Sequence, residues 1–125
     1  MAFSILPLEA ALLLEALNAQ EIILDKQEGH CIFLRDSLCS LYQWRPVICR
    51  TQGMALAYID QDSQTIEVSA CELNFPPDAA IEHDDLLFMD QFNERLADLN
   101  LQYCRQNDLP VGQRIALADL PAYLR

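Results

Sequence analysis

Three of the five cysteines, Cys31, Cys39 and Cys49, fall within 19 residues of a stretch that has little hydrophobic period. A segment of that kind has no amphipathic face to hold it against a core, so something local must organise it. A metal ion gripped by the thiols is one organiser; packing beneath neighbouring helices is the other. Arg45-Pro46 sharpens the constraint, because proline disfavours the helical conformation at the residue before it and so denies a regular helix through 45.

At 125 residues and 14.2 kDa the chain has the size of a single domain, residues 1–125, and with 52% apolar residues it can build one core without disulfides. Eight Lys and Arg against 19 Asp and Glu leave a net charge of −11. That balance argues against binding to nucleic acid or to an anionic membrane surface, both of which call for cationic patches. No run approaches the roughly 18–20 apolar residues of a membrane span; the longest, Ala10 to Leu17, is interrupted by Glu15. The first basic residue is Lys26, so the start lacks the charge of a secretory signal, and the expectation is a cytoplasmic protein. In a reducing compartment five cysteines are thiols or metal ligands, not a disulfide framework.

The predicted elements make a small α+β chain. Pro7 suits the first turn of a helix running through Leu8 to Leu17. Glu21 to Asp25 fits a strand or a further helical turn, and Glu28-Gly29 breaks what precedes it. Met54 to Ile59 and Thr65 to Ala70 read as two strands of a hairpin, the second half-buried through Ile66, Val68 and Ala70. Pairing Ile59 with Thr65 sets Cys71 opposite Gly53, four residues past Cys49, so the hairpin carries the fourth cysteine back to the aperiodic segment. Asp78 is a good N-cap for a long helix over 79–105, with Ile81, Phe88, Phe92, Leu96, Leu99 and Tyr103 on one face and Glu82, Asp84 and Asp85 in its early turns. Asn107-Asp108-Leu109-Pro110 ends it, and Leu117 to Leu124 forms a short terminal helix around Pro121.

The cysteine spacing is C-x7-C-x9-C-x21-C, with 32 more residues before Cys104 and no C-x-x-C pair anywhere. Four converging thiolates suit a tetrahedral zinc ion or an iron–sulfur cluster. The competing reading makes the cysteines small buried hydrophobes, which is the expected state of Cys104 on its helix. Between Cys31 and Gly53 the chain has Arg35, Arg45 and Arg50 but only Asp36, whereas Met54 to Asn100 has eleven acids and one base, Arg95. Arginines beside the cysteines favour thiolate and offset the negative charge of a metal–thiolate centre; they equally suit pairing with acids of the long helix. Cys49, flanked by Arg45 and Arg50, also fits a redox-sensing thiolate, with no base selected for it: His30 adjoins Cys31, and His83 lies at the start of the predicted long helix. A metal-free domain that uses its acidic surface to bind a basic partner is the remaining reading. No phosphate-binding glycine loop, G-x-S-x-G or H-E-x-x-H is present.

The run Cys31-Ile-Phe-Leu-Arg, then Cys39-Ser-Leu-Tyr42, then Arg45-Pro46-Val-Ile-Cys49-Arg50, followed downstream by Cys71-Glu-Leu-Asn-Phe75, resembles the YkgJ-type cysteine-cluster family over about residues 29 to 75. That family is described as a zinc- or iron-chelating domain. The resemblance implies metal chelation by Cys31, Cys39, Cys49 and Cys71, with Arg45 and Arg50 beside the bound group and no counterpart for Cys104. The chain departs from the family pattern in one respect: the usual C-x-x-C-G-x-C-C element ahead of the first helix has no match between Met1 and Pro7. The expectation is a metal-binding module without a reaction of its own, holding zinc or iron, with an iron–sulfur cluster as one form of the latter.

Overall fold

The computed structural model describes residues 3–20, 22, 30–36 and 38–123. In chain order these form strand β1 (Ser4–Ile5), helix α1 (Pro7–Gln20), strands β2 (Leu34–Arg35) and β3 (Leu38–Cys39), and a 3-10 turn at Tyr42–Trp44. There follow helix α2 (Val47–Arg50), strands β4 (Ala55–Asp60) and β5 (Thr65–Ser69), and a 3-10 turn at His83–Asp85. Strand β6 (Leu86–Phe88), helix α3 (Asp90–Gln106), strand β7 (Ile115–Ala116) and a 3-10 stretch at Leu117–Tyr123 complete them. The mixed α+β class expected from the sequence is the one observed. Among the described residues no helix is long and apolar enough to cross a membrane.

Contacts divide the chain into two units, Met1–Ile48 with Leu99–Arg125, and Cys49–Asp98. In the first, β1 pairs antiparallel with β7, Ser4 opposite Ala116 and Ile5 opposite Ile115. Arg114 staples the pair, its Nε donating to Ser4 Oγ and its Nη2 to the Ser4 carbonyl, both at 2.9 Å. Pro7 opens α1 as the sequence predicts, and two side chains take up amides at its start. Glu9 Oε1 accepts from the Leu6 amide at 3.2 Å, and Asn100 Oδ1 accepts from the Leu8 amide at 3.1 Å. Ile5, Leu13, Leu17, Leu41 and Leu120 are buried here, each contributing on the order of 2 kcal/mol.

The second unit holds a three-stranded sheet in the order β5-β4-β6. The β4–β5 hairpin exists, but its register is one residue away from the predicted one: Ile59 pairs with Ile66 and Asp60 with Thr65. Asp60 belongs to the strand because its Oδ1 accepts from the amides of Asp62 and Ser63, at 3.0 and 3.4 Å, folding the loop back on residue 60. β5, at the sheet edge, is exposed along its whole length, not half-buried. Ala55 and Ala57 of β4 are buried.

The long helix begins at Asp90, not near Ala79. Ala79 donates to the Pro76 carbonyl in a turn instead of entering a helix from Asp78. The acids at 82–85 serve a capping box in which Glu82 and Asp85 exchange side-chain and backbone bonds around the 3-10 turn. Leu86–Phe88 then runs parallel to β4, Leu86 opposite Ala55 and Phe88 opposite Ala57. The expected apolar stripe of α3 is also displaced: Phe92 and Leu99 are exposed, and the buried residues are Asn100 and Cys104. The helix ends as the sequence predicts. Asp108 takes a φ of 55°, and Leu109 donates to the Cys104 carbonyl at 2.9 Å, the pattern of a Schellman cap. The terminal helix is a 3-10 stretch through Pro121, while Glu21, Ile23 to Asp25 and Glu28-Gly29 lie outside the described residues.

Candidate metal centre

Cys31 and Cys39 frame a small knuckle in the first unit. The Cys31 carbonyl accepts the Leu34 amide at 3.0 Å, which closes a turn over Ile32 and Phe33. Those two side chains are 3% and 4% exposed, so they anchor the turn from beneath while Cys31 stays at the surface. Leu34 then pairs with Cys39 across the β2–β3 hairpin, and Ser40 donates to Phe33 at 2.8 Å. Asp36, with φ at 50°, supplies the left-handed residue that a two-residue hairpin loop requires. The segment expected to be irregular therefore consists of short regular pieces, each too brief for a hydrophobic period.

Arg45-Pro46 breaks the backbone as predicted: Arg45 is extended, with ψ at 134°, between the 3-10 turn and α2. Its Nε donates to the Tyr42 carbonyl at 3.0 Å, and its guanidinium lies 3.8 Å from the centroid of the Tyr42 ring. This cation–π stack gives Arg45 a role within its own turn. One step on, the Val47 amide donates to Glu9 Oε2 at 3.0 Å, which fastens the start of α2 to α1. No local pattern in the sequence pairs Glu9 with residue 47.

Cys49 and Cys71 belong to the second unit. Cys49 is half-buried in the last turn of α2, followed by exposed Arg50. The chain then turns through Thr51–Gly53, where Met54 donates to the Thr51 carbonyl and Gly53 takes a φ of 86°. Cys71, also half-buried, starts a turn in which its carbonyl accepts the amides of Asn74 and Phe75, at 3.1 and 2.7 Å. Asn74 Nδ2 donates to the Gly53 carbonyl at 2.7 Å. The hairpin thus returns the Cys71 turn to the turn after Cys49, although the register that set Cys71 opposite Gly53 is one residue off, and the side chain of Asn74 makes the link.

Cys104 differs from the other four. It is fully buried, and its thiol donates to Asn100 Oδ1 at 3.7 Å. All five cysteines are thiols; Cys31 is exposed and Cys39, Cys49 and Cys71 are half-buried. The four candidate ligands are divided two and two between the units, and within either unit no group of three His, Cys, Asp or Glu stands ready to hold a metal among the described residues. Cys104 aside, each unit thus holds two soft sulfur donors. His30 is exposed, and the His83 ring sits 5.4 Å from that of Phe88. Compared with protein-family models, curated proteins and solved structures, the chain matches none.

Proposed function

We propose that the chain is a small metal-binding module whose Cys31, Cys39, Cys49 and Cys71 thiolates chelate zinc or iron, an iron–sulfur cluster being one form of the latter. The observation that carries the reading is the contrast among the cysteines. Cys31 lies at the surface and Cys39, Cys49 and Cys71 are half-buried, on short elements or at the start of turns, whereas Cys104 is sealed in the interior. Buried small hydrophobes would all resemble Cys104. The four are also the positions that the cysteine-cluster resemblance selects. Arg45 and Arg50 flank Cys49 in the chain, and their charge suits an anionic thiolate centre.

Binding by all four thiolates fills a tetrahedral site, which leaves no position for substrate and makes the ion structural; no enzymatic role is proposed. The metal would contribute folding energy by fixing short segments. A reducing compartment such as the cytoplasm keeps the thiols available. The net charge of −11 makes a metal ion a better partner than nucleic acid or an anionic membrane.

The test is purification without oxygen, followed by elemental analysis and a visible spectrum. One zinc per chain in a colourless protein, or iron with charge-transfer absorption, is the expected result. Serine at 31, 39, 49 or 71 should each release metal, and Cys104→Ala should keep it. A melting temperature indifferent to exhaustive chelation, or metal retained in all four serine variants, overturns the reading. A peroxide response lost in Cys49→Ser with metal content unchanged would select the redox reading instead.

A further inference from the structure

The outer strand of the three-stranded sheet has the physical character of a docking edge. β5 has β4 on one side and, among the described residues, no strand on the other. All five of its residues are exposed, with Ile66 and Val68 at 52% and 48%. Register sets Ile66 opposite Ile59, itself 50% exposed, and Val68 opposite Ala57. Since side chains alternate across a strand, Ala57, Ile59, Ile66 and Val68 share one face, and Thr65, Glu67 and Ser69 share the other with Leu56, Tyr58 and Asp60. Along β5 itself one face is therefore apolar, Ile66 and Val68, and the other polar with one acid, Thr65, Glu67 and Ser69. Sheet edges are ordinarily blunted by prolines, lysines or a covering segment; β5 has neither proline nor lysine and carries a single charge, Glu67.

The electrostatics of the unit select the occupant. Residues 49–98 carry eleven acids against Arg50 and Arg95, a net charge of −9 out of −11 for the whole chain. A second copy pairing edge to edge would bring two such units together and repel itself. A cationic strand is attracted.

We propose that β5 is a strand-addition site for an extended, basic segment of a partner protein, in which apolar residues alternate with Lys or Arg. The apolar set packs beside Ile66 and Val68. The basic set meets Glu67 and Asp60 on the opposite face, while main-chain bonds extend the sheet by one strand. The site is independent of metal binding by the cysteines.

A synthetic peptide of about nine residues alternating Lys and Val is the probe, measured by calorimetric titration against the full chain near 150 mM salt. Controls are a peptide of the same composition with its Lys and Val in blocks, and the alternating peptide N-methylated on every second amide, in each of the two phases. The alternating peptide should bind at least about tenfold more tightly than the block peptide. One N-methylated phase should lose binding, because only one edge of a strand faces β5. Ile66→Lys and Val68→Lys, both at half-exposed positions, should weaken binding at least about tenfold, with circular dichroism reporting that the fold is kept. Equal binding of alternating and block peptides, or indifference to both N-methylated phases, would mean charge attraction alone and overturns the proposal. Should either lysine variant unfold, the N-methylated peptides on the native chain still decide. Concentration-dependent dimers in sedimentation that Val68→Lys abolishes would assign the edge to a second copy and also overturn it.

Discussion

The side-chain amide of Asn74 donates to the carbonyl of Gly53 at 2.7 Å, which ties the turn carrying Cys71 to the turn that follows Cys49. Gly53 makes the contact possible in two ways. Its φ of 86° strains any residue with a side chain, and a Cβ there would stand 2.9 Å from Asn74 Nδ2. Asn74→Ala should cost about 1 kcal/mol, the worth of one exposed hydrogen bond. Gly53→Ala should cost more, about 1–2 kcal/mol, from backbone strain with the displaced amide added. Urea denaturation of both single variants and the double variant checks the coupling. The double variant should cost less than the sum, because the alanine methyl already disturbs the bond that Asn74→Ala removes. Additive costs would make the two turns independent.

Glu9 is a buried carboxylate, 8% exposed, that spends its two oxygens on two backbone amides, those of Leu6 and Val47. Glu9→Ala orphans both donors and should lower stability by about 2–4 kcal/mol. Glu9→Gln keeps one acceptor oxygen and should cost roughly half as much. Chemical denaturation of the three proteins orders them, and a Glu9→Ala midpoint equal to the native one would reduce these bonds to surface ornaments.

These two contacts mark the boundary of what the sequence makes legible. Features set by neighbouring residues were readable: Pro7 at a helix start, the break at Arg45-Pro46, the β4–β5 hairpin and the end of the helix at Asn107–Pro110. Features set by a distant partner were not. Asn100 occupies the buried side of α3 because its amide oxygen serves Leu8 and the Cys104 thiol, so the buried face runs through 100 and 104 while Phe92 and Leu99 face solvent. Leu86–Phe88 is too short to show a period of two, and its apolar residues merge with a helical pattern that starts four residues later. At the candidate metal centre, the return of Cys71 was readable from strand pairing, but Asn74 was not, since a side chain bonding to backbone 21 residues away leaves no spacing signature.

The cysteines should separate by reactivity. In metal-free protein a disulfide reagent such as Ellman's should titrate Cys31, Cys39, Cys49 and Cys71 under native conditions and reach Cys104 only in denaturant, because Cys104 is fully buried. Cys104→Ala should therefore leave the native thiol count unchanged, at a cost of about 1 kcal/mol in stability for the lost packing and the lost bond to Asn100. Zinc added before the reagent should slow the four native thiols together. Protection of only two would indicate that one unit binds metal without the other.

Asp60 gives the β4–β5 loop a pH dependence. The Ser63 hydroxyl first, then the amides of Asp62 and Ser63, hold its carboxyl below the ordinary aspartate value of 3.8. Because the folded value is depressed, the ionised side chain stabilises the folded chain above the unfolded value, and that contribution is lost as pH falls through the folded one. The window thus lies below pH 3.8. Asp60→Asn keeps an acceptor and removes the charge. Its melting temperature should fall short of the native chain's at neutral pH, with the gap closing as the solution is acidified past that point. The effect is small, since the carboxyl is reached and screened by solvent. Thermal melts of the two proteins across the acid range measure it, and a gap that widens on acidification would show that the loop's carboxylate opposes the fold instead of supporting it.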